Sequence, residues 1–312
     1  MRILLMGTPE FCLPAFQSLI EDKRFTVVGV VCQPDKPVGR KQILTSPPTK
    51  LLAEDYDIPC YQPEKASSST FIQTVKDLHI DVIFVLSYGQ ILSEALLKVP
   101  KYGCINMHGS LLPKLRGASP MQMAILEGFK TTGLTYMKME KGLDSGEILR
   151  QFEIPVKEKN IYELSTEMSE KTAQTVGNVL FDYVKGNIKP IEQDEEGVTV
   201  CKIIQKENGE VFPKEDISEY ILRKYRAFLS WPGIFLMMKN KRIKLLEIEK
   251  TDISSNNPGR LHIQDKRLYL DTKDFMIYIL RLQLEGKKVV SADDFIHSFR
   301  GNQENIEFKD IF

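Results

Sequence analysis

Short apolar segments alternate with amphipathic ones through residues 1–186. The apolar segments have the length of buried strands, and the segments between them repeat apolar positions with helical spacing. The predicted strands are residues 2–6, 25–32, 82–86 and 104–107, and the predicted helices are residues 14–20, 71–78, 121–127 and 161–184. Strands that are apolar throughout are typical of a parallel sheet covered on both faces. The pattern therefore predicts an α/β domain with a mostly parallel sheet.

The pattern changes after residue 186. Residues 187–205 contain Pro190 and an acidic run, and we interpret them as an interdomain linker, although a surface loop within one domain is the alternative. Beyond them, short strand candidates alternate with turns rich in Gly, Asn and Asp. These strands are residues 234–238, 243–248, 260–263, 268–270 and 277–284. Several short strands in so small a region predict a β-barrel at residues 206–312.

Composition fits a two-domain globular protein. The chain has 312 residues, of which 42% are hydrophobic and 27% charged. No apolar run approaches the roughly 18 residues that a membrane span needs, and residues 1–6 are too short for the apolar core of a signal peptide. The five cysteines are an odd number without close spacing, which is typical of reduced thiols. We therefore expect a cytoplasmic protein without membrane attachment.

Charge divides unevenly between the two predicted halves. The chain is neutral overall, but residues 200–312 carry 20 Lys and Arg against 17 Asp and Glu, a net charge of +3 that leaves −3 for the rest. A small basic excess favours a polyanionic partner, although ordinary surface variation produces the same difference.

Residues 104–117 carry the densest group of candidate catalytic side chains. Asn106 and His108 are two apart at the end of a predicted strand, so their side chains leave from the same face. An amide beside an imidazole suits acyl transfer, because the amide N–H stabilises oxygen charge while the imidazole handles a proton. Downstream, Asp144 lies between Gly142 and Gly146, where a carboxylate can orient the histidine or pass protons through water.

Other readings of these residues remain open. An isolated Asn-x-His pair is most often structural, and Pro113 and Gly117 can simply mark turns. A metal site built on Cys104 and His108 would need a second pair of ligands, which the sequence does not supply. From the residues alone, the chain is an α/β enzyme for which acyl transfer is one possible chemistry.

The segment INMHGSLLPKLRG at residues 105–117, with GLDSG at 142–146, resembles the signature of the folate-dependent formyltransferases. The resemblance places the family's catalytic residues at Asn106, His108 and Asp144. It places the folate-contacting residues at Ser110, Leu111, Leu112 and Pro113, with Tyr88 and Gly89 as further candidates. It also implies a Rossmann-like catalytic domain, residues 1–186, and an OB-like C-terminal domain, residues 206–312.

Further segments resemble the family members that act on methionyl-tRNA. They are residues 7–11, 33–40, 116–122, 132–137 and 226–233, together with 286–288 and 294–295. The resemblance implies transfer of the formyl group of 10-formyltetrahydrofolate to the α-amine of initiator methionyl-tRNA, without a metal, because the donor is already an activated acyl group. We expect a monomer.

RNA recognition requires positive charge, and the candidate residues are Arg40, Lys41, Lys241, Arg242 and Lys244. The sequence departs from the family's pattern in two places. The loop after Arg40 carries fewer lysines than is usual, and Glu210 follows Gly209 where the family has an Ile-Asp-Trp run, so the start of the second domain is uncertain. Two rival functions remain: the same chemistry on a sugar nucleotide, and a non-enzymatic protein that binds RNA or folate.

Overall fold

The computed structural model describes residues 1–39, 41–238 and 241–298. They form two compact units. The first contains Met1–Met121, Lys130–Lys157 and Glu163–Lys202, and the second contains Gln122–Phe129, Glu158–Tyr162 and the chain from Ile203 onward. The boundary at 202/203 lies inside the predicted linker, residues 187–205, and the linker itself stays a prediction. Arg40 lies outside the described residues.

The first unit is built on a seven-stranded sheet. Its strands and those of two small ribbons are β1 (Arg2–Gly7), β2 (Thr26–Val31), β3 (Lys36–Val38), β4 (Ile43–Thr45), β5 (Cys60–Tyr61), β6 (Val82–Leu86), β7 (Cys104–His108), β8 (Arg116–Gly117), β9 (Thr131–Lys138), β10 (Ile148–Pro155) and β11 (Val200–Cys201). The sheet order is β10-β9-β7-β6-β1-β2-β5. Strands β7, β6, β1, β2 and β5 run parallel to one another, while β9 is antiparallel to both of its neighbours, β7 and β10. The predicted mostly parallel sheet is confirmed.

Helices cover both faces of this sheet. The helices in the first 202 residues are α1 (Leu13–Glu21), α2 (Pro48–Asp55), α3 (Ser69–Asp77), α4 (Glu94–Leu97), α5 (Pro120–Leu126) and α6 (Ile161–Val184), of which α5 belongs mostly to the second unit. On one face, Phe71 and Val75 of α3 pack with Leu4 and Ile83 of the strands. On the other, Phe16 of α1 meets Phe84 with ring centroids 6.3 Å apart. Because both faces are buried, the inner strands β1 and β6 are almost entirely apolar, as the sequence predicted.

The second unit contains an antiparallel sheet. After α7 (Ser218–Phe228), its strands are β12 (Ile234–Met238), β13 (Lys241–Ser254), β14 (Leu261–Gln264), β15 (Arg267–Asp271), β16 (Phe275–Leu284) and β17 (Val289–Ser291), followed by α8 (Ala292–His297). The order is β12-β13-β16-β15-β14, with β17 also on β16. The pairing of β13 with β16 shifts register at several places, which bends the long strand. The sheet agrees with the predicted OB-like class, in which the barrel is partly open.

The helices and the cysteines can be compared with what the sequence predicts. Within the described residues, none of the helices is both long and apolar enough to cross a bilayer. The five cysteines are free thiols. Although the sequence shows no close spacing, folding brings the sulphur atoms of Cys32 and Cys60 to 3.7 Å.

Candidate active site

His108 ends β7, a strand enclosed between β6 and β9. Its side chain is buried, with 6% of its surface exposed. Its Nε2 lies 2.9 Å from the carbonyl oxygen of Leu115, and because a carbonyl only accepts, this nitrogen carries the proton. The other ring nitrogen, Nδ1, lies 3.6 Å from Oδ2 of Asp144. Nδ1 is therefore the ring nitrogen that faces a carboxylate.

Asp144 comes from the loop between β9 and β10. Its backbone has φ of +50°, a left-handed conformation that Asp adopts more readily than most residues. Its Oδ2 accepts a hydrogen bond of 2.8 Å from the backbone N–H of Gly117. The same oxygen therefore faces His108 and is held by the main chain. Folding thus brings together two residues that lie 36 positions apart in the sequence.

Asn106 lies two residues before His108 within β7, so both side chains leave the same face of the strand. It pairs with Val85 on β6 and Met137 on β9. The residue is half-buried, and its side chain makes no hydrogen bond with any residue that the structure describes. A half-buried amide without a partner is available to an incoming oxygen.

The segment predicted to contact folate is held by Thr135. The Thr135 hydroxyl donates to the Ser110 carbonyl at 2.6 Å and accepts from the Leu112 N–H at 3.1 Å. Ser110 is 1% exposed, and its hydroxyl donates to the carbonyl of Lys114, so this side chain shapes the turn rather than facing solvent. Leu111 and Pro113 are the half-exposed members of the segment, and Leu112 is buried.

Tyr88 and Gly89 have different surroundings in the structure. The Tyr88 ring is buried in the apolar cluster under α3, and burial raises the pKa of Tyr88 to about 12. The Tyr88 carbonyl already accepts from the Thr8 hydroxyl and from the side-chain amide of Gln33, each at 3.1 Å. Gly89 has φ of +88°, so the turn that follows needs glycine.

Sequence reasoning missed the side chains that support Asp144. Gln193 donates to the main-chain carbonyls of Asp144 and Gly146, each at 2.8 Å, and accepts from Nε of Arg116 at 3.0 Å. Gln193 belongs to the predicted linker, residues 187–205, whose sequence shows only Pro190 and an acidic run. Arg116 lies in one of the segments that resemble the family. A long-range hydrogen bond of this kind leaves no periodic signal in the sequence.

The predicted RNA-binding cations differ in their surroundings. Lys41 is exposed in the turn of the β3–β4 hairpin, beside the undescribed Arg40. On β13, Arg242 and Lys244 share one face because they are two residues apart, and Lys241 lies on the opposite face. The Arg242 guanidinium lies 4.3 Å from the centre of the Phe235 ring. Arg242 and Lys244 also line an open cavity of about 210 Å³.

Metal-ligating side chains are not grouped within the described ranges, since no three His, Cys, Asp or Glu side chains are arranged to hold an ion there. The site's polar groups instead suit an acyl substrate: an unpartnered amide, an imidazole and a carboxylate.

Comparison with known proteins identifies the family. The family model described as formyl transferase matches residues 1–184, and that of the formyl transferase C-terminal domain matches residues 203–300. A methionyl-tRNA formyltransferase of Caldicellulosiruptor saccharolyticus is 40% identical over 307 residues, covering 96% of this chain and 97% of the relative. That of Halalkalibacterium halodurans is 37% identical, covering 95% and 94%.

Solved structures share the fold at lower identity. A sugar 3N-formyl transferase, WlaRD, crystallised in the presence of dTDP and 5-N-formyl-THF, has a TM-score of 0.65 at 17% identity, covering 92% of this chain and 99% of that one. HypX from Aquifex aeolicus, in complex with tetrahydrofolic acid, has a TM-score of 0.62 at 16% identity, and the match spans 95% of this chain but only 47% of HypX. With both formyltransferase domains matched, and with relatives of 40% and 37% identity matched over more than nine-tenths of each chain, the chain belongs to the methionyl-tRNA formyltransferase family.

Proposed function

We propose that this protein transfers the formyl group of 10-formyltetrahydrofolate to the α-amine of initiator methionyl-tRNA, giving N-formylmethionyl-tRNA for translation initiation. Membership of the methionyl-tRNA formyltransferase family makes the chain a formyltransferase. The observation that carries the site assignment is the buried His108 with Nδ1 3.6 Å from Asp144, on the same strand face as the Asn106 amide, which has no partner among the described residues.

The first step is attack by the unprotonated amine nitrogen on the formyl carbon. A carbon–nitrogen bond forms, and the carbonyl electrons move to the oxygen. Asn106 supports the proposal because its amide has no partner among the described residues and is free to donate to this oxyanion. A donor of this kind contributes about 3 kcal/mol to stabilising the transition state. His108 supplies the second donor from Nδ1 when that nitrogen is protonated.

The second step is collapse of the tetrahedral intermediate. The attacking nitrogen loses a proton, the bond from the formyl carbon to N10 of the folate breaks, and N10 gains a proton as tetrahydrofolate leaves. Asp144 supports proton removal, because its carboxylate lies beside Nδ1 of His108 and is only partly exposed. The Leu115 carbonyl keeps the ring oriented by holding the proton on Nε2.

The folate slot is assigned to Ser110, Leu111, Leu112 and Pro113, with the turn at Tyr88 and Gly89. Support comes from the rigidity of the 110–113 segment, whose main chain is fixed by Thr135 and by Gln151, which donates to the Leu112 carbonyl at 2.8 Å. A rigid wall with half-exposed Leu111 and Pro113 suits a planar ring.

The tRNA phosphates are assigned to Arg40 and Lys41 in the first unit and to Lys241, Arg242 and Lys244 in the second. Support for these assignments is the exposure of Lys41 and the shared face of Arg242 and Lys244. We further propose that the protein acts as a monomer in the cytoplasm, where tRNA and reduced folates are found together.

The test is formylation by the purified protein with 10-formyltetrahydrofolate and one of three acceptors: initiator methionyl-tRNA, elongator methionyl-tRNA or an amino-sugar nucleotide. We expect turnover with the initiator tRNA at rates far above those of the other two. Formylation of the amino-sugar nucleotide, without formylation of either tRNA, would refute the proposed substrate and leave formyl transfer as the reaction. No turnover of any acceptor, with folate or tRNA still bound, would favour the binding-protein alternative.

A further inference from the structure

The Gln193 side chain is buried under the loop that carries Asp144. Only 9% of its surface is exposed. Its amide nitrogen uses both hydrogen atoms on that loop, donating to the carbonyl oxygens of Asp144 and Gly146 at 2.8 Å each. Its amide oxygen accepts from Arg116 at 3.0 Å. A buried glutamine whose donors both serve one loop fixes the position of that loop.

Arg116 connects Gln193 to the carboxylate of Asp144. It is 7% exposed, and its guanidinium also pairs with the exposed carboxylate of Glu195 at 2.8 Å. The next residue, Gly117, donates its N–H to Oδ2 of Asp144. The short strand β8 therefore holds Asp144 twice: directly at the carboxylate, and through Gln193 at the main chain.

The Asp144 loop needs such support. Gly142 and Leu143 are exposed, and Asp144 itself has a left-handed backbone that is costly for a residue with a side chain. Gly146 is buried, so its carbonyl would lack a partner without the Gln193 amide. The separation of 3.6 Å between Asp144 and His108 depends on this loop conformation.

We propose that Gln193, oriented by Arg116, is a positioning residue for the reaction: it holds the Asp144 loop so that the carboxylate faces Nδ1 of His108. The proposal rests on the proposed function. It also gives residues 187–202 a part in the active site, because Ile191 pairs with Ile148 and Thr199 bonds to Leu115 on either side of Gln193.

Two substitutions separate the contacts of Gln193. Gln193→Met keeps the length of the side chain and removes all three hydrogen bonds. Gln193→Glu keeps an acceptor for Arg116 and removes the donors to the loop. We expect both to lower kcat by about 10- to 100-fold, since a misplacement on the order of 1 Å has this effect on catalysis. KM for methionyl-tRNA should change by less than about twofold, because a buried side chain does not contact the acceptor.

The matched control is Glu192→Gln. Glu192 is the neighbouring residue, exposed, and without a hydrogen bond or ion pair to any other described residue. This variant should retain the wild-type kcat.

A double-mutant cycle with Asp144→Ala decides whether Gln193 acts through Asp144. In that background, replacing Gln193 should cause no further loss of single-turnover rate, because the carboxylate that it positions is gone. Full additivity of the two losses would overturn the proposal, and so would a single Gln193→Met variant with wild-type kcat. Where Gln193→Met lowers Tm, the same cycle is run with Gln193→Glu. Absence of methionyl-tRNA formylation by the wild type would instead refute the proposed function.

Discussion

Replacing Asp144 by Asn removes one charge from the site and little else. An Asn oxygen can still accept the hydrogen bond from the Gly117 N–H, now 2.8 Å long. Asn also tolerates the left-handed backbone at this position, where φ is +50°. The fold should therefore persist, and we expect Tm to stay close to the wild-type value. What is lost is a negative charge 3.6 Å from Nδ1 of His108.

The magnitude follows from this distance. With an effective dielectric constant of about 20, two unit charges so placed interact by about 5 kcal/mol. Solvent reduces this value, because 17% of the Asp144 side chain is exposed. If His108 carries positive charge in the transition state, kcat should fall by roughly 10²- to 10³-fold. KM for either substrate should change far less, because the lost interaction belongs to the transition state.

The assay is steady-state and single-turnover formylation of methionyl-tRNA, with Tm measured on the same preparations. Asp55→Asn is the matched control, since Asp55 lies exposed at the end of α2 and should retain full activity. A kcat for Asp144→Asn within about threefold of wild type, at unchanged Tm, would refute an electrostatic role for this carboxylate.

Three further predictions concern other parts of the molecule. Asn106→Ala should lower kcat by about 10²-fold or more, with little change in Tm because the amide has no described partner to lose; wild-type kcat would exclude it from the oxyanion site. Replacing Arg242 and Lys244 by Gln should weaken tRNA binding. It should also reduce the slope of log binding constant against log salt concentration by up to about 0.9 for each lost phosphate contact; an unchanged slope would show that these residues do not contact phosphates. Limited proteolysis should cut first within residues 187–205, and near 202–205 because the preceding stretch is hydrogen-bonded; first cuts only at 67–69 would contradict the linker.

The sequence predicted the elements whose pattern is strong. Residues 82–86 and 161–184 have the predicted bounds, because one is fully apolar and the other is long and amphipathic. The antiparallel strands β9 and β10 were not predicted. β9 begins with two threonines and a glycine, and it becomes a buried strand only through pairing with β7 and β10. Such tertiary stabilisation overrides weak local preference.

In the candidate site too, some residues can be selected from the sequence and others depend on tertiary contacts. Asn106, His108 and Asp144 lie in two short segments dense with glycine and polar residues, so sequence spacing and resemblance were enough to select them. Gln193 could not be selected in this way. Its bonds reach residues 47 to 77 positions away, and they form only when the chain after α6 folds back along the sheet. The burial of Ser110 could not be predicted from the sequence either: its hydroxyl donates to the Lys114 carbonyl within the turn.

In the proposed reaction, the strand face of Asn106 and His108 performs formyl transfer to methionyl-tRNA. The direct measurement is the single-turnover rate of formyl transfer from 10-formyltetrahydrofolate to initiator methionyl-tRNA, for the wild type and for His108→Ala at equal folded fraction. We predict rapid transfer by the wild type and a rate lower by about 10²-fold or more in the variant, with both substrates still bound. Transfer by His108→Ala at the wild-type rate would contradict a catalytic role for His108.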